Sequence, residues 1–128
     1  MDTILTNSQI GRLGEIIQEE LLATGADHVV IVDMSGNLII DRGSLEMNDI
    51  LSLAVLSAAN FAATSEIARL IGEEDFTLLF HKGDNRNIHF SRVGQHYIMI
   101  ILFKDTVSLG LIRLKSNKVV EGLSFLLS

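Results

Sequence analysis

The stretch from residue 48 to residue 71 limits what this chain can fold into more than any other part of it. Its pattern predicts a helix, and at about 100° per residue its large apolar side chains fall all round the axis. Ile50 and Phe61 point one way, Leu51 and Val55 another, Leu56, Ile67 and Leu70 a third, and Leu53 and Ile71 a fourth. Alanines at 54, 58, 59, 62 and 63 fill the gaps, and after Asp49 no charge interrupts until Glu66 and Arg69. A helix apolar on all sides has to be covered on more than one of them. One face of a sheet covers one side. In a chain of 128 residues the other helices are needed on the sheet's second face. The remaining surface is therefore expected to meet another molecule, either a second copy or a different protein, and Ala54, Ala58 and Ala62 allow close backbone approach. The alternative is a monomer that wraps the helix in its own loops, for which few residues are spare.

The length suits a single domain, residues 1–128, with one packed unit and no visible repeat or linker. Leu, Ile and Val occupy 42 of the 128 positions, which leaves more apolar surface than a domain of this size can bury. The net charge of −6 argues against an electrostatic grip on nucleic acid or an anionic membrane. That charge is uneven, −7 over residues 1–64 and +1 over 65–128. Without cysteine there is no disulfide, thiol nucleophile or thiolate metal site. The N-terminal residues lack the basic flank and apolar core of a secretion signal, and the solid apolar run Tyr97–Phe103 is too short to span a bilayer. The longer uncharged stretch 50–65 is broken by Ser52, Ser57, Asn60, Thr64 and Ser65. The reading is a cytoplasmic protein without membrane insertion.

Around the central helix the pattern predicts helix, two strands, helix, three strands, helix. The first helix spans about 8–24, with Ile10, Leu13, Ile17 and Leu21 on one side, Asn7 or Ser8 as cap and Gly25 as stop. Asp27–Asp33 and Leu38–Ile40 form a hairpin round Ser35-Gly36-Asn37. Strands follow at 76–82, 86–93 and 96–103, with Gly83-Asp84 and Gly94-Gln95 as type II′ turns. In the middle one, Asn87, His89 and Ser91 alternate with apolar residues, which predicts one wet face. The last has no polar alternation and belongs at the sheet's centre. A final helix from Thr106 to about 127 carries Leu109, Ile112, Val119, Leu123 and Leu127 inward. The expected fold is α+β: a five-stranded antiparallel sheet, the long helix on one face and the two terminal helices on the other.

Nothing in the chain composes an active site. No Gly-rich loop ends in a lysine, Gly11-Arg12-Leu13-Gly14 lies inside a helix, and no nucleophile elbow is present. His28, His81, His89 and His96 lack ligand spacing and read as strand-surface residues, although His81 and His89 could approach across a hairpin. Glu73-Glu74-Asp75 reads as an acidic turn, and Arg113, Lys115 and Lys118 as a solvated helix face. Neither a catalytic group nor a cofactor or metal is expected. One polar seam does cross the long helix: Ser57, Asn60 and Thr64 beside Leu53 and Ile71. It is either a docking stripe or a set of side chains bonding back to the helix.

The element order, the hairpin 29–39, the segment Ala59-Asn60-Phe61-Ala62-Ala63-Thr64-Ser65-Glu66-Ile67-Ala68 with its continuation to Phe76, His81-Lys82-Gly83, and Thr106–Arg113 together resemble the roadblock/dynein light chain family, most closely its bacterial MglB branch. The resemblance covers nearly the whole chain. It implies a homodimer whose sheets join edge to edge through strand 76–82, with the two long helices packed on one face. It also implies a Ras-like small GTPase of the MglA type as partner, stimulation of GTP hydrolysis with the GTPase's own arginine, and a place in cell-polarity control. Leu53, Ser57, Asn60 and Thr64 are the expected partner contacts. Val55, Ala58, Ala62, Phe76, Leu78 and Phe80 are the expected dimer contacts. The rival expectations are a scaffold that leaves nucleotide turnover unchanged and a small-molecule sensor module.

Overall fold

The computed structural model describes residues 5–74, 76 and 78–127, Leu78 and Leu127 by backbone alone. Helix α1 (Asn7–Ile16) opens on Thr6, one or two residues before the expected caps. The reason is a reciprocal capping box: Gln9 N–H donates to Thr6 Oγ1 at 3.1 Å, and Thr6 N–H donates to Gln9 Oε1 at 2.8 Å. The helix widens into a π segment (Ile17–Leu21), tightens into a 3₁₀ turn (Leu22–Thr24) and stops at Gly25. Leu13, Ile17 and Leu21 are spaced by four and would drift round a regular α-helix. The wider turn keeps all three in the core.

Strand β1 (His28–Asp33) pairs antiparallel with β2 (Leu38–Gly43), which runs three residues past Ile40. Asp33 builds the turn between them. Its Oδ1 accepts from the Ser35 and Asn37 N–H groups, and its Oδ2 from Asn37 Nδ2, each at 2.9 Å. Gly36, at φ +90°, lies under the next helix, where a Cβ would stand 3.1 Å from Val55 Cα. His28, fully buried, ties the far end of the hairpin. Its Nδ1 accepts from Leu45 N–H at 3.0 Å, so Nε2 carries the proton and donates to Asp41 at 2.9 Å.

Helix α2 (Met47–Leu70) leads to β3 (Leu78–Lys82), β4 (Arg86–Val93), β5 (Tyr97–Lys104) and α3 (Leu109–Leu127). All neighbours pair antiparallel in the order β2-β1-β5-β4-β3. Strand β5 is central, as its unbroken apolar run requires, and is buried from Tyr97 to Phe103. Its alternate residues feed two cores. Met99, Ile101 and Phe103 join Val29, Ile31, Leu13, Ile17, Ile112 and Leu123 beneath α1 and α3. Ile98, Ile100 and Leu102 join Val30, Val32, Phe90, Ile50, Ala54 and Phe61 beneath α2. The fold is thus the expected α+β arrangement.

Three local expectations are corrected. The β3–β4 turn centres on Asp84 and Asn85, closed by Gly83 N–H donating to the Arg86 carbonyl at 3.0 Å; Gly83 has no positive φ, so this is not a type II′ turn. Gly94 does adopt φ +62°, but Val93 faces Tyr97 across a three-residue loop. The polar face of β4 is dry. Asn87, His89 and Ser91 are all buried, because α3 packs across them and meets Ser91 with Ser116, Oγ to Oγ 2.8 Å.

Burial has an energetic consequence at His89. Its Nδ1 lies 3.3 Å from Ser91 Oγ, while the buried Nε2 has no hydrogen-bond partner among the described residues. Burial, with the nearby Arg113 charge adding to it, pushes the imidazole pKa down to about 4. The folded state therefore holds His89 neutral over a range where the unfolded chain binds a proton. The contribution is complete above about pH 6.5 and is lost as pH falls toward 4, by at most about 1.4 kcal/mol per unit, or about 3 kcal/mol in all. Urea midpoints measured from pH 7 down to 4.5 should fall accordingly, and His89→Gln should flatten that slope. An unchanged slope in the variant would assign the acid sensitivity to other groups.

Candidate protein-docking surface

Helix α2 meets the sheet along one narrow line. Ile50, Ala54, Ser57, Phe61, Thr64 and Ala68 are buried at alternating spacings of four and three, a seven-residue repeat along a single seam. Phe61 anchors it, edge-on to Phe90 of β4 at 6.2 Å between ring centroids. Beyond Leu70 the chain turns away, with Glu73 N–H donating to Ala68 O at 2.9 Å and Gly72 N–H to Arg69 O at 3.3 Å.

Apart from Ala58, buried beside this seam, and the half-buried Leu53, Asn60 and Ser65, the rest of the helix faces outward. Met47, Leu51, Val55, Leu56, Ile67, Leu70 and the following Ile71 are exposed, Val55 at 58% and Leu56 at 67%. Leu51, Ser52, Val55 and Leu56 line a shallow groove. Lone exposed aliphatics are ordinary, but a row of them along one rod is not. By length and composition Met47–Leu70 would also be apolar enough to cross a bilayer. Its Phe61 seam, bedded on an antiparallel sheet, is that of a domain's core helix.

The expected contact residues are sorted by this geometry. Ser57 and Thr64, 2% and 9% exposed, belong to the inward seam and present no docking stripe. Thr64 Oγ1 donates back to Asn60 O at 2.8 Å, and Ser57 Oγ is buried without a hydrogen-bond partner among the described residues. Leu53 and Asn60 are half-buried at the seam's margin. On the other flank Val55 and Ala62 are exposed, whereas Ala58 is largely covered. Strand β3 is an edge, with its outer side open to pairing. Phe80 turns inward and stacks on Phe103 at 26° and 6.2 Å. Phe76 is half-buried, and the side chain of Leu78 lies outside the described residues. An edge contact here would use the β3 backbone more than these rings.

The histidines divide differently from the expectation of surface positions. His28 and His89 are buried, His81 and His96 exposed. His81 packs edge-on to Phe90 on the α2 side of the sheet, and His89 lies beneath α3, so the two never approach. Lys115 and Lys118 meet Glu20 at 3.2 and 3.6 Å, tying α3 to the π segment after α1. Glu73 and Glu74 are exposed past the end of α2, and Asp75 lies outside the described residues. What the sequence conceals is the seven-residue repeat in α2, because every side of that helix is apolar.

Residues 13–103 match the family model of the Roadblock/LC7 domain. The chain belongs to the Roadblock/LC7 family. Within it the likeness is to MglB. Myxococcus xanthus MglB is 33% identical, with 88% of this chain and 92% of that one covered and a TM-score of 0.84. The gliding protein MglB of Thermus thermophilus is 28% identical over 97% and 94%, with a TM-score of 0.89. An MglB solved in a tetrameric arrangement is 28% identical over 97% and 93%, also at 0.89. Among curated proteins none matches. Roadblock/LC7 domains of the MglB kind are regulatory rather than enzymatic, and this member is accordingly MglB-like.

Proposed function

We propose that this Roadblock/LC7 protein is a homodimeric, non-catalytic regulator that binds a Ras-like small GTPase of the MglA type in the cytoplasm and stimulates its GTP hydrolysis. The observation that carries the reading is the uncovered apolar face of α2 in a chain 33% identical to M. xanthus MglB. Such a face is stable only under another protein surface, and the tetrameric MglB supports a second copy as its first occupant. Two copies joined at the β3 edge and along α2 would form one continuous sheet topped by a pair of helices. The GTPase would dock on that pair, beside Leu53 and Asn60. The dimer's contribution would be to order the switch regions of the GTPase, whose own arginine completes the site.

Single-turnover hydrolysis by the MglA-type GTPase of the same organism tests this. Adding the dimer should raise the rate at least tenfold, about 1.4 kcal/mol of barrier. Asn60→Arg should reduce complex formation without dissociating the dimer. Binding with an unchanged hydrolysis rate would make the protein a scaffold. No binding at all would refute the partner.

A further inference from the structure

Helix α3 has a second stripe, unrelated to the α2 face. Of the expected inner residues Ile112, Val119 and Leu123 are buried, with Ser116 among them, Leu109 is half-buried, and the side chain of Leu127 lies outside the described residues. On the far side, Leu111, Leu114, Lys118, Glu121 and Phe125 recur at spacings of three and four, the repeat of a helix seam with a partner. All five are exposed, Leu114 at 66% and Phe125 at 89%. Gly122 flanks the stripe with open space above it, leaving room for a second backbone.

We propose that this outer stripe of α3 pairs antiparallel with the same stripe of a second copy, a two-fold contact separate from the α2 surface. The charges select the arrangement. A parallel pair in register would set Lys118 against Lys118 and Glu121 against Glu121. An antiparallel pair centred between residues 119 and 120 sets Lys118 against Glu121 of the second copy, twice by symmetry. The same register places Leu114 opposite Phe125 of the second copy, so apolar meets apolar and opposite charges meet with no further adjustment. Lys118 is available for this role. It lies 3.6 Å from Glu20, but Lys115 holds that carboxylate more closely, at 3.2 Å, and the Lys118 side chain remains 66% exposed. With few residues on each side, the contact is weak and adds chains to an existing dimer at high concentration.

Sedimentation velocity of the intact protein over a wide concentration range tests the pairing. The wild type should exceed the two-chain mass of about 28 kDa, twice the 14.1 kDa chain, as concentration rises. Lys118→Glu and Glu121→Lys should each weaken that step by about tenfold, and the double exchange should restore it to within about threefold. Loss of fold does not imitate this pattern, because the double exchange still contains Lys118→Glu and sets the same new carboxylate beside Glu20 as that single variant does. Single reversals without effect, a double exchange without rescue, or a wild type that never passes two chains and whose two-chain species is indifferent to Lys118→Glu would each overturn the proposal. So would capture of α3 by anionic lipid vesicles without self-association. The outcome is independent of the α2 reading, since Val55→Glu/Leu56→Glu attacks only that surface. If a two-chain species survives that change and Lys118→Glu dissolves it, α3 pairing stands and the α2 dimer falls.

Discussion

Phe61→Ala is expected to lower the unfolding free energy by about 3–5 kcal/mol, the usual cost of emptying an aromatic site in a packed core. Phe61 is fully buried, is among the largest such side chains, and is the aromatic anchor of α2 on the sheet. Its partner Phe90 comes from β4, so the cavity would open between the long helix and the strand next to the central one. A domain of this size has about 5–15 kcal/mol in total, so the variant would be near the limit of folding at about 37 °C. Urea denaturation followed by circular dichroism would measure the loss. A shift below about 1 kcal/mol would mean that α2 is held chiefly from its outer side.

The second large effect concerns that outer side. Val55→Glu/Leu56→Glu places two carboxylates on adjacent, exposed positions that share the shallow groove on the outer side of α2. In a single chain both charges remain in water, and the cost to folding is within about 0.5 kcal/mol. Beneath a second copy each would be an unpaired buried charge, costing several kcal/mol per site. The expected result is a folded protein of 14.1 kDa in place of a species of about 28 kDa, by light scattering. The melting temperature should lose its concentration dependence at the same time. A persistent dimer would show that the apolar face is not where the copies meet. Together with Phe61→Ala, this variant separates the seam that makes the fold from the face that meets a partner.

The order of elements is legible in the sequence because each carries a strong period of its own. Strand β5 belongs at the centre because seven consecutive apolar residues exclude a wet face. The need of the long helix for cover on more than one side is legible for the same kind of reason. Its rotation is not. With large apolar groups at every angle, periodicity cannot say which line faces the sheet, and the small polar residues Ser57 and Thr64 look like surface when they fill the close approach to the strands. A wheel ranks hydrophobicity, whereas helix–sheet contact at short range also selects small volume.

The polar row of β4 misleads for a related reason. Asn87, His89 and Ser91 alternate as solvent-facing residues do. Burial of such a row depends on whether something polar covers it, and here α3 supplies Ser116, whose hydroxyl stands 2.8 Å from Ser91 Oγ. Ser91 and Ser116 are 25 residues apart, and no local pattern encodes a match between a strand and a helix at that separation. The outer stripe of α3 is easily passed over because its inner stripe already explains the helix.

The turn at Gly36 shows how the smallest residue can restrict the largest element. A methyl group at that position would press on the Val55 backbone at 3.1 Å while forcing a left-handed geometry that side chains resist. The hairpin tip or the helix backbone at Val55 would have to give by a few tenths of an ångström on top of the strained φ. Mutational libraries that treat short surface turns as free ground for diversification would find position 36 among the least permissive sites in the molecule, and tags or grafted epitopes belong elsewhere.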